Sequence, residues 1–345
     1  MPMRHPTAVL ALLAASAFAD RCARPMNLNR TDVAPEDGRF GIVGEKFAAR
    51  KGLKLRLHAL DGGEPSDLFT FPAAPDAWWL SPDGKRVAWT AKSVLHLGER
   101  ELGGVPSGEA VFSANSTRLA FVRGELMVGI EAESGKVVEL PAKEGRVFIG
   151  TPAISGDGKR AYILTGPAPE QPGKPAGPAD RIDCADFEIA MLLPIWSLHD
   201  GSIRGLSSSG ALPVEDKKRL PPGHEDRLAF VRMLKEKAEV CLWNGEDGTV
   251  TPVLETRSLD ETAIASNGSW IAVTGNSLAA GVQAWAVDTN RSGSMREYAV
   301  DPLAVVEGAD VTSLRLTPAG ESLFVARPTL PGGRLEIVGA GPRWR

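Results

Sequence analysis

Short apolar runs separated by polar turns recur along the chain. The segment 79–89 shows the pattern best, with an apolar pair, the turn Ser81-Pro82-Asp83-Gly84, two basic residues and a second apolar run. Proline presets φ, aspartate hydrogen-bonds its own backbone and glycine accepts a positive φ, so this order of residues favours a tight turn between two strands. The pattern therefore predicts short strands in a buried sheet layer.

Seven segments carry this turn or a weaker form of it. Their anchor residues are Ala34, Ser81, Ser113, Ser155, Pro222, Ser266 and Thr317. After the turn, a small residue followed by a larger apolar one recurs at Ala88-Trp89, Ala120-Phe121, Ala161-Tyr162, Ala229-Phe230 and Ala272-Val273. We expect the small residue to leave room for a neighbouring sheet.

A second series of turns runs alongside the first. In each case an apolar residue stands four positions before a residue that is followed by glycine. The four pairs are Leu57 with Asp61-Gly62, Ile130 with Ser134-Gly135, Trp196 with Asp200-Gly201, and Trp243 with Asp247-Gly248. Trp285, with Asp288 three residues later, is interpreted as a degraded copy. Asp-Gly between apolar strands is a strong hairpin signal, so the repeat unit contains four strands.

The interval between anchors identifies the architecture. Anchors of the first series are 32 to 67 residues apart, and four strands in roughly 40–45 residues is the period of a β-propeller blade. We predict an all-β fold, a β-propeller of seven four-stranded blades. The Ala34 copy is the least regular, so six blades is the alternative. A β-sandwich would not repeat the same turn chemistry at this interval.

The segment 81–89 resembles the repeat of TolB-type and WD-repeat-like bacterial propellers, and the resemblance covers roughly residues 30–340. It implies an exported or periplasmic interaction module. Related propellers also gate prolyl oligopeptidase-like enzymes, but the Gly-x-Ser-x-Gly motif of a hydrolase domain is absent from this sequence.

The N-terminus resembles an export signal. An apolar run over 8–18 is followed by Ala17-Phe18-Ala19, which predicts a signal peptide over 1–19 and cleavage between Ala19 and Asp20. The run is too short to cross a bilayer, and no later stretch is long enough. The charged residues before Cys22 disfavour lipidation there. A periplasmic or secreted location follows.

The chain then divides into three parts. Residues 20–33 form an N-terminal segment expected to pair with the last blade near 335–338, and residues 34–340 form the propeller. A Pro-rich insertion at 166–183 lies between the second and third strands of the blade anchored at Ser155 and is expected to be extended and unpacked. A long loop on a rigid scaffold is a place for binding, and a tolerated insertion without a role is the alternative. Pro194 indicates an irregular or edge strand after it.

Composition adds little to this picture. Hydrophobic residues make up 43% of the chain, which excludes a mostly disordered protein. The 37 glycines and 26 prolines fit many turns. Lys and Arg total 39 against 43 acidic residues, for a net charge of −4, so the footprint of a nucleic-acid partner is missing.

Motifs for chemistry are not found in the sequence, and no catalytic, cofactor or metal residues are assigned. His58, His96 and His199 fall on predicted third strands and could share one face, but ordinary histidines are favoured. Packing is favoured for the tryptophans Trp196, Trp243 and Trp285, which recur at one predicted repeat position. A disulfide between Cys184 and Cys241 would pin the insertion, with two buried thiols as the alternative.

These observations together predict an exported, non-catalytic, monomeric propeller without a cofactor. It would bind a protein or an envelope ligand through loops on one face. The alternative is a propeller enzyme, lactonase- or hydrolase-like, with polar groups converging on the central channel.

Overall fold

Strands are the only regular secondary structure in the described part of the chain, as shown by a computed structural model. The described residues are 26–27, 36–37, 39–44, 46–59, 63–171, 174–208, 227–235, 237–245, 248–256, 263–266, 270–277, 281–288, 295–298, 313–316, 323–329 and 334–340. Side chains are described only between residues 36 and 252.

The described strands pair antiparallel into seven four-stranded sheets, numbered here 1 to 7 along the chain. The first strands of the sheets are β2 (Phe40–Val43), β6 (Ala77–Leu80), β10 (Val111–Phe112), β14 (Arg146–Ile154), β18 (Ser202–Ser208), β22 (Ala263–Ser266) and β26 (Ser313–Leu316). Each first strand contacts the first strand of the next sheet, so these strands form the inner wall.

Two further strands follow in the middle of each sheet. The second strands are β3 (Lys46–Lys51), β7 (Val87–Ala91), β11 (Arg118–Arg123), β15 (Arg160–Pro167), β19 (Arg227–Met233), β23 (Trp270–Ser277) and β27 (Leu323–Thr329). The third strands are β4 (Lys54–Ala59), β8 (Val94–Leu97), β12 (Leu126–Glu131), β16 (Arg181–Asp186), β20 (Ala238–Asn244), β24 (Gly281–Asp288) and β28 (Arg334–Ala340).

The outer strands complete the sheets. They are β5 (Ser66–Thr70), β9 (Arg100–Glu101), β13 (Val137–Pro141), β17 (Met191–Ser197), β21 (Val250–Thr256), β25 (Met295–Tyr298) and, for sheet 7, β1 (Met26–Asn27). Met26 lies opposite Gly339 and Asn27 opposite Val338, so a strand from the N-terminal end completes the last sheet. The predicted all-β propeller fold is confirmed. The number of blades stays a prediction.

Three described turns of the first series join first to second strands by the same hydrogen bonds. The hydroxyl of Ser81 donates to Asp83 Oδ1 at 2.6 Å and accepts a bond from the amide of Arg86 at 2.9 Å. The same roles are taken by Ser113 with Asn115 and Arg118, and by Ser155 with Asp157 and Arg160. The serine anchor therefore fixes the turn from inside.

These turns also bond to one another across sheets. The amide of Asp83 donates to the buried hydroxyl of Ser116 at 3.1 Å. The amide of Asn115 donates to Gly156 O at 3.0 Å, and its side-chain nitrogen donates to Asp157 O at 3.0 Å. A belt of hydrogen bonds therefore links sheets 2, 3 and 4, which gives the repeated turn a physical reason.

Each described sheet packs its small residue against the larger side chains of the next sheet. Ala48 packs with Trp89, and Ala88 packs with Phe121. Sheet 4 departs from this pattern, because the bond from the Ser155 amide to Arg160 O fixes its register. Tyr162, rather than Ala161, then takes the place of Ala88. The sequence alignment of Ala161-Tyr162 with the other small–large pairs is therefore off by one residue.

Two predicted turns lie elsewhere in the fold. The turn at residues 36–37 precedes β2, and Gly44 lies between β2 and β3, so the Ala34 copy is not the first-to-second turn of its sheet. Asp200-Gly201 connects β17 to β18 and is not a hairpin. The hairpin of sheet 4 turns at residues 187–190, where Ala190 takes the positive φ of 53° in place of glycine. Ser134-Gly135 does join β12 to β13, as predicted.

Several sequence predictions fall outside the described residues. They concern the cleavage site at Ala19 and Asp20, the lipidation candidate Cys22, and the turns at Asp61-Gly62, Asp247, Pro222 and after Ser266 and Thr317.

Candidate functional site

Connections between successive strands alternate between the two ends of the propeller. First-to-second and third-to-fourth turns lie at one end, which we term the turn end. Second-to-third connections and the connections between sheets lie at the other end. The chain between β15 and β16, residues 168–180, belongs to that second end. We term these residues the insertion, and the end that carries them the insertion end.

The base of the insertion is closed by backbone hydrogen bonds. The amide of Ala168 donates to Gly145 O at 2.9 Å, and the amide of Gly177 donates to Pro167 O at 3.1 Å. A Cβ on Gly166 would lie 2.8 Å from Gly177 O, so glycine is required where the two arms approach. The insertion therefore stands on a defined stem.

The second arm of the insertion packs into the core. Ala179 is 3% exposed and belongs to the apolar cluster between sheets 4 and 5. Its carbonyl accepts a bond from the amide of Ile203 at 2.7 Å, and Asp180 O accepts one from the amide of Leu198 at 2.7 Å. The sequence-based expectation of an unpacked insertion is wrong for this arm, because it bridges to the connection between the two sheets.

Charged side chains fix the same stem. Arg146 donates to Thr165 O at 2.9 Å and forms an ion pair with Asp180. The fully buried carboxylate of Asp183 accepts bonds from Thr165 Oγ1 at 3.0 Å and from Arg181 Nη2 at 2.9 Å. Burial of that charge is compensated by the arginine and the hydroxyl, which makes the pair a fixed part of the scaffold.

The tip of the insertion is exposed. The amide of Lys174 donates to Gln171 O at 3.2 Å, which closes a turn. The exposed prolines of the insertion and its stem are Pro167, Pro169, Pro175 and Pro178. A tip with restricted φ angles on a closed stem offers a surface that loses little conformational entropy on binding.

A second polar group lies at the insertion end, where the first strands begin. Arg39 precedes β2, and its guanidinium binds both oxygens of Glu109, at 2.8 and 3.0 Å, just before β10. Trp79 of β6 lies between them, donates its indole N–H to Glu109 Oε2 at 2.7 Å, and has the Arg39 guanidinium 5.5 Å from its ring centroid. This cluster ties sheets 1, 2 and 3 at the mouth of the ring.

The neighbouring tryptophan makes the matching contact on the other side of sheet 2. Trp78 donates its indole N–H to Asp37 Oδ2 at 2.9 Å, and Arg50 Nε donates to the same oxygen at 2.7 Å. Adjacent residues of a strand point to opposite faces, so the two indoles bind carboxylates that lead into the sheets on either side. Every carboxylate in these clusters is engaged by an arginine and an indole.

The histidines singled out in the sequence do not come together. His58 of β4 stacks on Phe47 with ring centroids 5.1 Å apart, and His96 of β8 stacks on Trp89 at 4.1 Å. His199 lies in the connection between β17 and β18 and not on a third strand. Among the described side chains, no group of three His, Cys, Asp or Glu residues could hold a metal ion.

The three tryptophans do not occupy one repeat position. Trp196 lies in the outer strand β17, where it packs on Phe230 with ring centroids 5.0 Å apart. Trp243 and Trp285 lie in third strands, but opposite Leu228 and Val273, which differ by two residues in register. Trp243 packs 6.1 Å from Tyr162, centroid to centroid.

Cys184 and Cys241 belong to one buried apolar cluster between sheets 4 and 5. Cys184 lies opposite Tyr162, and Cys241 lies opposite Phe230. Burial raises the pKa of the Cys241 thiol to about 11. The disulfide between the two cysteines stays a prediction.

Sequence reasoning missed the clusters around Arg39 and Arg146. Their partners are 34 to 70 residues away, and a repeat search does not pair residues outside the repeat. A usable signal was the Trp78-Trp79 pair itself, because each buried indole N–H requires an acceptor.

Comparison with known proteins identifies the fold. No family model and no curated protein sequence matches this chain. An oligogalacturonate lyase in complex with manganese is similar in structure, with a TM-score of 0.59, 10% identity and 86% of each chain covered.

The β-propeller domain of the trilobed protease from Pyrococcus furiosus has a TM-score of 0.52, with 11% identity over 86% of this chain and 93% of that one. TolB from Acinetobacter baumannii has a TM-score of 0.44, with 12% identity over 90% of this chain and 63% of that one. The chain is thus a TolB-like β-propeller in fold. Within the described ranges the structure also contains no helix able to span a membrane.

Proposed function

We propose that this chain is an exported, non-catalytic β-propeller that binds a protein or an envelope ligand at its insertion end. The observation that carries the proposal is the insertion, whose stem is closed by hydrogen bonds and whose tip is exposed. A loop held in position by a rigid scaffold is a common place for recognition. Because the stem is ordered before binding, less entropy is lost in the complex.

The acidic groups near the ring mouth support binding over catalysis. Glu109 and Asp37 each bind an arginine and an indole, and Asp183 binds an arginine and a threonine. A general acid or base must instead reach a substrate proton. The enzyme alternative therefore gains no support from these side chains.

Export rests on the N-terminal sequence. The apolar run and the Ala-x-Ala pattern before Asp20 support removal of residues 1–19. Mass spectrometry of the protein recovered from the periplasm or medium should give a mature chain that begins at Asp20. Recovery of an uncleaved chain only from the cytoplasm would refute export.

The binding proposal is tested by changing the tip and leaving the stem. Residues 169–176 are replaced by a short Gly-Ser linker, which keeps Ala179, Asp180 and the hydrogen bonds at the base. Affinity capture from an envelope extract should retain a partner with the intact protein and lose it with the linker variant. The control is Lys136→Glu in the β12–β13 turn at the turn end, which should capture the partner normally.

The result against the proposal is equally clear. If intact and linker variants capture the same proteins in the same amounts, the insertion is not the binding site. If neither captures a partner reproducibly while circular dichroism shows both folded, the scaffold function itself is wrong.

A further inference from the structure

We propose that the outer strand β17 is a self-association edge, through which two copies of this chain pair antiparallel about a two-fold axis near Met191. β17 is the last strand of sheet 4 and is hydrogen-bonded only to β16 among the described strands. Its other edge therefore presents backbone N–H and C=O groups outward. Such an edge is chemically matched to another strand.

The edge lacks the charges that protect the other outer strands. Residues 189–198 contain no Asp, Glu, Lys or Arg. The outer strands of the other sheets with described side chains carry Asp67, Arg100 and Glu101, Glu139, and Glu255. Asp67 and Glu139 are also ion-paired with residues of their own sheets. Charged residues on edge strands prevent sheet-to-sheet association, and β17 has none.

The exposed side chains at this edge are apolar and alternate. Ile189 is 59% exposed, Met191 48% and Leu193 39%, whereas Leu192 between them packs against the core. Alternate residues of a strand share one face. A two-fold axis at Met191 would bring Ile189 of each copy beside Leu193 of the other, so each apolar side chain would gain an apolar partner.

Charge also favours a second copy as the occupant. Glu188 is the charged residue that precedes the apolar segment, and its carboxylate pairs with Lys159 Nζ at 3.0 Å. Because this charge is neutralised within its own sheet, two copies can approach without carboxylate repulsion.

The length of the edge limits the affinity. Pro194 has no N–H to donate, and the pairing of β16 with β17 shifts register between Ile182 and Asp183. Pairing is therefore confined to about five residues per copy, far below the roughly 800 Å² per partner of a stable interface. We expect a monomer at micromolar concentration and a dimer with a dissociation constant on the order of 100 µM.

Analytical ultracentrifugation of the full chain from 1 µM to 1 mM, concentrations chosen to bracket that estimate, tests the inference. The wild type should dimerise, and Leu193→Lys should weaken dimerisation at least tenfold because it places ammonium groups at the axis. The control is Val137→Lys on β13, a residue that is 41% exposed but lies on a different outer strand. It should leave the dimer unchanged.

Amide hydrogen exchange gives a second readout that is independent of folding defects. Residues 189–193 should become protected as the wild-type concentration rises, and should not in Leu193→Lys, while circular dichroism shows both folded. A wild type that stays monomeric up to 1 mM overturns the inference. A dimer that Leu193→Lys leaves intact, or that Val137→Lys weakens equally, overturns it as well.

Discussion

Where sheets 3 and 4 meet, the ring of Phe187 lies over Gly129 of β12. A Cβ built on Gly129 would lie 2.5 Å from Phe187 Cε1. The guanidinium of Arg118 lies 5.1 Å from the centroid of the same ring, so the ring is held on both sides. The distance between these two sheets therefore depends on the missing side chain at residue 129.

Gly129→Ala is expected to destabilise the protein by about 1–3 kcal/mol, because the ring and the strand must move apart. Urea denaturation measures the change. The control is Gly108→Ala, whose added Cβ would meet nothing within 4 Å, and which should stay within about 0.5 kcal/mol of wild type. Equal effects of the two substitutions would show that the contact with Phe187 is unimportant.

The turn at Asp83 has an internal reference, because Asn115 fills the same place in sheet 3 and accepts the same bond from the serine hydroxyl. Asp83→Ala removes this acceptor and should cost about 1 kcal/mol. Asp83→Asn keeps an acceptor oxygen and should cost less than half as much. Denaturant titrations at pH 7 compare the three proteins, and equal losses would argue against the hydrogen bond.

The charge of Asp83 gives this turn a pH dependence. Burial raises the pKa of Asp83, but the hydrogen bonds from Ser81, the Lys85 amide and Ser116 outweigh burial and hold it below 3.8. A pKa that is lower in the folded state stabilises the fold above the unfolded value, and this contribution is lost as pH falls through the folded value. The stability difference between wild type and Asp83→Asn should therefore be constant from about pH 5 to 7 and shrink below about pH 4.

At this scale the sequence predicts the turn chemistry well and the packing less well. Serine, aspartate and glycine act locally, so their roles at Ser81 and Ser155 can be deduced from spacing. Tyr162 could not be placed, because a shift of one residue moves a side chain to the opposite face of a sheet. The hydrogen bond that fixes that register appears only in the folded chain.

Among the elements, the interface between sheets 4 and 5 brings the two cysteine-bearing strands β16 and β20 together. Cys184 shares its face of sheet 4 with Tyr162, and Cys241 shares its face of sheet 5 with Phe230. Tyr162 and Phe230 belong to the same cluster. The two thiols therefore lie on faces that meet.

We expect refolding in a glutathione redox buffer to yield a peptide linked through Cys184 and Cys241, and peptide mass mapping checks it. Cys184→Ser should abolish the linked peptide and leave circular dichroism unchanged. In the reduced folded protein, the raised pKa of Cys241 should make its thiol unreactive toward Ellman's reagent at pH 8. Recovery of both cysteines as thiols after oxidative refolding would refute the disulfide.

Connections were the elements that the sequence assigned least reliably. Asp200-Gly201 has the composition of a hairpin turn, yet it joins two sheets. The true hairpin of sheet 4 uses Ala190 at a positive φ, which no composition rule identifies. The stem of the insertion was missed for a similar reason, since the bond from Gly177 to Pro167 depends on backbone approach and not on side-chain type.

At the scale of the molecule, the ring is completed by a short pairing of β1 with β28. Truncation after residue 28 should remove this pairing and increase amide hydrogen exchange in residues 335–340, while exchange in β11 and β12 stays unchanged. Mass spectrometry of exchanged peptides measures both regions. Truncation after residue 25 keeps β1 and serves as the control. Equal protection of 335–340 in the two truncated proteins would show that β1 does not close the ring.

The strand that completes sheet 7 also sets an order of events during biosynthesis. β1 is made first and its partner β28 last, with about 300 residues between them. Ribosomes add about 5–20 residues per second, so β1 waits on the order of 15 seconds or longer for its partner. During that time the other sheets can form while β1 has no strand to pair with. A chaperone that covers extended N-terminal segments would act in this interval, and its absence would first affect the closing sheet.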